Sequence, residues 1–500
     1  MRRKQAVLLM CSVLLVGLFA HVHSGAQTLD DDAFREWNNQ IRRDKFDILL
    51  PKIMRERGID MWIHVMREAI PDPFGAEELG STSGVFVFTD RGEGPIERAV
   101  LGRRWGASQR ERGSHSTLVE DSGAYDIIAK PVPVREPVGG PMSEYDFRFE
   151  GLAAFVEARN PKTIALNFKQ NLGPWVAYRG ELDGLSYTDY LLLTKEIGDK
   201  YAERVVSAEY LILDYITQKV PSEIKLIKKI AAEDVARIFE EFKKVVPGVT
   251  GVRDTPLTTF RRMETGQSQR GRSAGWENAV IQGGDIVCSP ERGVHAYVLR
   301  EGETEPPPDI QELYDQYLKV EEILADNIRA GLTPREIVKN YTKDFEEAGF
   351  VLRDNQLHMV VPKNDYPEYA KGFDLNKTHL SIDAHSMMKG ARNAREIENY
   401  FGPRVGSLGP DWTRDIVLTP NHHFVMEYFF YMPSFTNIRR GGGGGGFGGG
   451  SGGNFSGAGD LGGGGSKDQY LLFWNHEEAM TTEKGVQYLT PPQKELYLIK

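Results

Sequence analysis

The pattern of apolar residues changes near residue 220, and this change limits the fold more than any other feature of the chain. Before it, short apolar runs alternate with helical stretches, which is typical of an α/β domain. After it, long amphipathic helices and strand-like runs occur in separate blocks, which is typical of an α+β domain. The sequence therefore predicts an N-terminal α/β domain over 27–220 and an α+β domain over 221–500.

In the first domain, a helix is predicted to begin near Phe34 and to end at Gly58, because Phe34, Trp37 and Ile41 recur with helical spacing. Another helix is predicted over 152–158. Short apolar runs bounded by Gly, Asp and Pro indicate strands. The predicted strands are 61–66, 85–88, 99–101 and 163–166.

In the second domain, Ser222 is the expected N-cap of a long helix, because apolar residues recur every three or four positions from Ile227 to Val245. A second helix is predicted over 310–328, and a third begins at a capping box formed by Thr333 and Glu336. The predicted strands of this domain are 294–299, 422–431, 469–474 and 495–499.

The first 26 residues have the pattern of a secretory signal peptide. Three basic residues at 2–4 precede an apolar run over 6–20 and small residues at 24–26. This run is shorter than the roughly 20 residues that span a membrane. We therefore expect cleavage, a secreted or periplasmic location and no membrane association of the mature protein.

Charge and glycine content exclude other classes. The chain has 71 acidic and 61 basic side chains, which disfavours nucleic acid as a partner. Of its 53 glycines, 17 lie in 441–466, and the remainder is ordinary, which excludes a collagen-like chain. A tract of this composition is too flexible to position a ligand, so we expect a disordered loop there.

Candidate functional residues concentrate in the second domain. Seven of the nine histidines that follow the signal peptide lie at or after His295. If 422–431 is a strand, alternation puts His423, Val425 and Glu427 on one face. A carboxylate in so apolar a strand is costly unless it is paired, hydrogen-bonded or bound to a metal. Glu427 is therefore the leading functional candidate, and a salt-bridged glutamate on an edge strand is the alternative.

Several landmarks follow one another in the order found in a known family. They are 57–63, the helix after Ser222, 284–287, His379 with His385 and 402–403, Phe424 with Glu427, and 484–489. In this order the chain resembles the pita-bread peptidases, the family of methionine aminopeptidase, Xaa-Pro aminopeptidase, prolidase and creatinase. The resemblance implies a creatinase/prolidase-like N-terminal domain, a pita-bread domain, small peptide substrates of the Xaa-Pro class and a homodimer.

Peptidases of this family bind two divalent metals through two Asp, one His and two Glu, because carboxylates neutralise and bridge paired cations. The aspartate turn after Asp285 is shortened here, so Glu291 stands in for one aspartate and the other has no counterpart. Counting back from Gly485 puts His476 at the position of the second glutamate and Glu477 beside it. The resemblance implies catalytic roles for His379 and His385 and a single Mn, Co or Zn ion held by Glu291, His379, Glu427 and Glu477.

Three hypotheses remain open at this point. The first is an exported Xaa-Pro aminopeptidase or dipeptidase with an altered, mononuclear metal site. The second is a metal-independent, creatinase-like hydrolase in which His379 or His385 is the general acid/base. The third is a binding protein that keeps the cleft without catalysis, because a fold does not fix a function.

Overall fold

The structure is a computed structural model. It describes residues 31–66, 78–81, 84–102, 119–129, 148–171, 184–260, 263–264, 279–353, 377–386, 402–406, 411–433 and 469–500. The predicted signal peptide and the glycine tract lie outside these residues. Within them, every helix is too short or too polar to span a lipid bilayer.

The described residues of the N-terminal part form a mixed six-stranded sheet in the order β4-β3-β2-β1-β5-β6. The helix predicted to begin near Phe34 starts at Asp31, contains a π-helical turn at Lys45–Leu49 and ends at Glu56. It packs on the sheet through a cluster that includes Trp62 and Phe88, whose rings stack at 4.9 Å. The elements are α1 (Asp31–Asp44), α2 (Leu50–Glu56), β1 (Met61–Val65), β2 (Val85–Thr89), β3 (Glu97–Leu101), β4 (Ile127–Ile128), α3 (Leu152–Arg159), β5 (Ile164–Leu166), α4 (Tyr187–Ile197), α5 (Asp199–Ala202), β6 (Val205–Ser207) and α6 (Glu209–Thr217).

The long helix predicted after residue 220 is α7, Pro221–Lys244. Its N-cap is Val220 rather than Ser222, because Pro221 occupies the first helical position, where its missing N–H costs nothing. Ser222 lies inside the first turn, and its hydroxyl makes no hydrogen bond among the described residues.

In the described ranges after residue 244, the second part contains two sheets and two further helices. A four-stranded sheet has the order β17-β10-β9-β7, and a seven-stranded sheet has the order β11-β12-β14-β15-β16, with β13 added to β12 and β8 to β15. The elements are β7 (Thr258–Phe260), β8 (Met263–Glu264), β9 (Ile286–Ser289), β10 (Val294–Val298), α8 (Pro308–Asn327), α9 (Pro334–Glu347), β11 (Val351–Arg353), β12 (His379–Ser386), β13 (Arg404–Gly406), β14 (His423–Pro433), β15 (Gln469–Thr482), β16 (Gly485–Tyr488) and β17 (Tyr497–Ile499).

Both helices of this part agree with the sequence patterns. The apolar stripe of α8 is buried, as the helical spacing predicts; it consists of Leu313, Tyr317, Val320 and Leu324. The capping box that opens α9 is confirmed, since the Thr333 hydroxyl accepts from the Glu336 amide and the Glu336 carboxylate accepts from the Thr333 amide.

Strands β14 and β15 form the longest pairing in the described residues, from His423 opposite Met480 to Pro433 opposite Tyr470. β15 continues to Thr482, well beyond the predicted end at residue 474. This extension matters because residues 475–478 thereby belong to a regular strand, and each of them has a defined face.

Deleting residues 441–466 is expected to leave the melting temperature nearly unchanged. The deletion lies inside the connection between β14 and β15, and the register of the two strands is defined by the pairs between them, from His423 opposite Met480 to Pro433 opposite Tyr470. Each halving of the length of a connection changes the entropic cost of closing it by only about 0.6 kcal/mol. Differential scanning calorimetry checks this expectation, and a large drop in the melting temperature would show that the tract packs on the fold.

Candidate metal centre

The candidate site lies on one face of strands β12, β14 and β15. In the pairing of β14 with β15, Glu427 lies directly opposite His476. On the other side of β14, His385 of β12 lies opposite Val425. Because cross-strand partners share a face, and residues two apart on a strand do too, Glu427, His385 and His476 all project from the same face of the sheet.

These three side chains approach one another closely. One nitrogen from each imidazole and one Glu427 oxygen all lie within 4.8 Å of one another. His385 Nε2 is 3.4 Å from Glu427 Oε2, and the two imidazole centroids are 5.8 Å apart. Both histidines are buried, whereas the Glu427 side chain remains 17% exposed. We call His385, Glu427 and His476 the triad; within the described residues, it alone groups three such side chains closely enough to share an ion.

The tautomer of His385 follows from its second nitrogen. Nδ1 lies 3.1 Å from the carbonyl oxygen of Ser386. Since a carbonyl only accepts, Nδ1 carries a hydrogen and donates it. In the neutral ring the lone pair is then on Nε2, which faces the carboxylate of Glu427. The Nε2 lone pair and the carboxylate oxygen of Glu427 repel each other unless a proton or a metal cation lies between them.

The electrostatic environment keeps Glu427 charged. Burial raises its pKa, but the hydrogen bond from His385 and the positive charges of His476, His385 and Arg404 outweigh burial and bring the pKa down to about 2. Burial lowers the pKa of His385, whereas the contact with Glu427 and the nearby charge of Asp383 raise it, and the net shift is upward. The triad is therefore built to hold positive charge against Glu427.

A buried ion pair borders the triad on the β12 side. Arg404 Nε and Nη2 donate to the two oxygens of Asp383 at 2.7 and 2.5 Å. Burial raises the pKa of Asp383, and the charge and hydrogen bonds of Arg404 oppose that shift. This bidentate pair ties β13 to β12 beside His385.

A second ionic group borders the triad on the β15 side. Glu478 lies 2.9 Å from His423 Nε2 and accepts from Arg292 Nη1 at 2.8 Å. The same guanidinium donates to Asp234 of α7 at 2.8 Å. Arg292 thus ties the helix to the strand that carries His476.

Glu477 does not join Glu427. It lies opposite Met426 in the register, and therefore on the other face of the sheet. Its carboxyl group is hydrogen-bonded to Glu321 of α8 and packs against Gly293, where an added Cβ would lie 2.3 Å from Oε2 of Glu477. This corrects the predicted pairing of the two glutamates, and the physical reason is that adjacent residues of a strand point to opposite faces.

Replacing Gly293 with alanine is expected to destabilise the protein more than replacing Gly302 with alanine. Both glycines have positive φ, +61° and +83°, but a Cβ at Gly302 meets nothing within 4 Å. Both variants lose about 1 kcal/mol or more to backbone strain. Gly293→Ala should lose about 1–3 kcal/mol more, because the new methyl overpacks against Glu477. Urea unfolding measures the difference, and equal losses would contradict this packing.

Two other predicted residues lie away from the triad. Glu291 is exposed, and its carboxylate accepts from the Ser289 hydroxyl at 3.3 Å. The backbone of His379 pairs with Tyr431, which is four residues along β14 from Glu427 and so roughly 13 Å away at about 3.3 Å per residue. The side chain of His379 lies outside the described part of the chain. Of the predicted site residues, the structure brings together His385 and Glu427.

The spacing from Gly485 indicates either His476 or its neighbour Glu477 and does not distinguish between them. The choice of His476 depends on β15 continuing unbroken to Thr482. Alternation then puts His476 on the face of Glu427.

No family model matches this sequence, and no curated protein matches it. Among solved structures, the chain is similar to the X-Pro aminopeptidase from Thermotoga maritima MSB8, with 13% identity and a TM-score of 0.47 over 90% of this chain and 100% of that one. It is also similar to the Xaa-Pro dipeptidase from Bacillus anthracis, with 16% identity and a TM-score of 0.42 over 92% and 99% of the two chains.

A third similar structure is the prolidase from Pyrococcus horikoshii OT3, with 13% identity and a TM-score of 0.40 over 89% of this chain and 98% of that one. These are the classes of protein that the sequence resemblance names. Since no TM-score among the three exceeds 0.47, the likeness carries no argument about activity, which has to follow from the residues of this chain.

Proposed function

We propose that this protein is an exported, peptidase-like hydrolase that holds one divalent cation between His385, Glu427 and His476. The observation that carries this proposal is the approach of one ligand atom from each residue to within 4.8 Å of the other two. Of the four ligands expected from the sequence, the proposed site keeps Glu427, replaces Glu477 by His476 and His379 by His385, and leaves out Glu291.

The donor set fits such an ion. Two imidazoles and one carboxylate suit Zn²⁺, Mn²⁺ or Co²⁺. The charge balance favours a cation as well, because with neutral histidines the triad and its flanking ion pairs contain four carboxylates and three guanidinium groups, an excess of one negative charge. These groups are Asp234, Asp383, Glu427, Glu478, Arg237, Arg292 and Arg404.

Three protein ligands leave an open coordination position, where a bound cation would polarise a carbonyl and lower the pKa of a bound water toward neutrality. The residues of the chain prepare this position. The bond from His385 Nδ1 to the Ser386 carbonyl directs Nε2 toward Glu427. Glu427 supplies the negative charge and is the member of the triad that solvent reaches.

The proposed substrates are small peptides of the Xaa-Pro class, and this part of the proposal rests on the order of sequence landmarks. Export rests on the pattern of residues 1–26. Mass spectrometry of the protein secreted by an expressing cell tests export, because cleavage should give a chain that begins near residue 27. A full-length chain that stays in the cytoplasm would contradict export.

Metal analysis and turnover test the function together. Protein purified without chelator should bind close to one Zn²⁺, Mn²⁺ or Co²⁺ per chain. It should hydrolyse at least one member of a panel of Xaa-Pro peptides, lose that activity in chelator and regain it when metal is restored. Binding far below one ion per chain at saturating metal would refute the proposal.

The contact between His385 and Glu427 also favours a second candidate function, hydrolysis without a metal. An imidazole held 3.4 Å from a carboxylate forms a dyad that can move a proton without a metal, as a general acid/base requires. This candidate predicts turnover that persists in chelator and is lost in His385→Ala. Binding of peptides without turnover, with or without metal, would leave the non-catalytic alternative.

A further inference from the structure

A series of contacts outside the triad links the last helix of the N-terminal part to His385. Gln218, just after α6, forms a β-bridge with His422. The amide of Lys219 donates to the carbonyl of Asn421 at 2.9 Å. These contacts fix the turn that precedes β14, and with it the position of His422.

His422 contacts Ser386, the residue that follows His385. Its Nε2 is 2.7 Å from the Ser386 hydroxyl oxygen. That hydroxyl donates its one hydrogen to the carbonyl of Pro403 at 2.8 Å, so the contact with His422 requires Nε2 to donate. Ser386 and His422 are both buried, at 0% and 2% exposure, so no water competes from bulk solvent.

The backbone of Ser386 connects this arrangement to the triad. Its amide donates to the carbonyl of Pro403 at 3.2 Å, so Pro403 holds both the amide and the hydroxyl of Ser386. The carbonyl of Ser386 accepts from His385 Nδ1 at 3.1 Å. The direction of that carbonyl, and hence the orientation of the His385 ring, therefore depends on how Ser386 is held.

Gly402 shows how closely the hydroxyl is enclosed. A Cβ at this position would lie 2.0 Å from the Ser386 hydroxyl oxygen and 3.4 Å from Cγ2 of Thr217. Glycine is thus required here by the close approach of Ser386.

We propose that Ser386 and His422 are positioning residues that set the orientation of His385 and thereby the affinity of the triad for a divalent cation. This inference rests on the proposed metal site. Hydrogen-bond partners of metal-binding histidines fix the tautomer and the ring orientation, and losing one costs about 10–100-fold in metal affinity. Ser386 and His422 act one step further out, through the carbonyl that His385 contacts.

Titration with Co²⁺ alone, followed by visible absorption of the bound ion, tests the inference, because the d–d bands report ligand geometry as well as occupancy. Ser386→Ala and His422→Leu should each weaken Co²⁺ binding by about tenfold or more and alter the band pattern. His422→Gln, which keeps an N–H donor near the position of Nε2, should retain most of the affinity. The retention distinguishes positioning from a general loss of packing.

Ser122→Ala is the matched control. Ser122 is also fully buried and donates to a backbone carbonyl, that of Val119, at 2.7 Å, but it lies in the N-terminal sheet domain. It should lower the melting temperature as Ser386→Ala does and leave the Co²⁺ titration unchanged.

Wild-type affinity and spectrum in both Ser386→Ala and His422→Leu would overturn the inference and leave the metal site intact. Absence of Co²⁺ binding by the wild-type protein would overturn the inference and the proposed function together. If Ser386→Ala does not fold, the two His422 variants decide the question, and equal affinities in the leucine and glutamine variants would overturn it.

Discussion

Replacing Glu427 with glutamine is expected to weaken binding of a divalent metal by more than about 100-fold, because indirect partners of metal ligands already contribute about 10–100-fold. The substitution preserves the shape of the side chain and removes the charge that draws His385 and His476 together. Metal-dependent hydrolysis should be lost in parallel. Isothermal titration of the chelator-treated protein with Zn²⁺ measures the change.

Glu477→Gln is the matched control for Glu427→Gln. Glu477 is a buried glutamate next to His476 on β15, but it faces the opposite side of the sheet. Its replacement should leave Zn²⁺ affinity unchanged. A loss confined to Glu477→Gln would contradict the triad and indicate an ion on the opposite face of the sheet, and equal losses in both variants would indicate a disturbed sheet instead of a lost ligand.

The second large effect concerns the pair of carboxyl groups formed by Glu321 and Glu477. Both are buried, at 4% and 3% exposure, and hydrogen-bonded to each other. The Tyr317 hydroxyl also donates to Glu321. Two carboxyl groups bonded in this way require a proton between them. Burial raises the pKa of Glu321 to about 7, and burial together with the charge of Glu321 raises that of Glu477 well above its usual value.

Raised pKa values in the folded state mean that this pair stabilises the protein most at low pH. Its contribution is fully present below the pKa of a glutamate in the unfolded chain, about 4.3, declines as pH rises above that value, and is lost once pH has passed the folded pKa values, about 7 for Glu321. The slope is about 1.4 kcal/mol of unfolding free energy per pH unit for each proton that only the folded state still binds.

Glu477→Gln should therefore flatten the decline of stability with rising pH, since an amide keeps a hydrogen bond to Glu321 without needing a proton. Urea unfolding between pH 5 and 9, at intervals of about one unit, compares the variant with wild type. Glu312→Gln is the control, because Glu312 lies at an exposed position of α8, the helix that carries Glu321. This variant should follow the wild-type curve. Parallel curves for Glu477→Gln and wild type would mean that no proton is bound by this pair.

Much of the chain after residue 220 follows from local sequence patterns. The helical stripe of α8 and the capping box of α9 depend on residues that are three or four positions apart, so the sequence predicts them without knowledge of the fold. The face shared by His423, Val425 and Glu427 follows in the same way from alternation along one strand. Glu427 stood out because a carboxylate is costly in so apolar a strand.

The rest of the site depends on distances between strands, which alternation does not reveal. Choosing His476 over Glu477 required the end of β15 and its register with β14. His379 and His385 are close in sequence, but an extended strand separates them by about 20 Å. Arg292 contacts Asp234 and Glu478, which are 58 and 186 residues away from it in the sequence. No local sequence pattern predicts these contacts.

We propose above that His385, Glu427 and His476 hold one divalent cation. Anomalous diffraction at the zinc absorption edge, from crystals of chelator-treated protein supplied with Zn²⁺, tests it most directly. We expect one strong anomalous peak per chain, bounded by one nitrogen of each histidine and a Glu427 oxygen. A peak between Glu321 and Glu477, or no peak at the triad at saturating Zn²⁺, would contradict it.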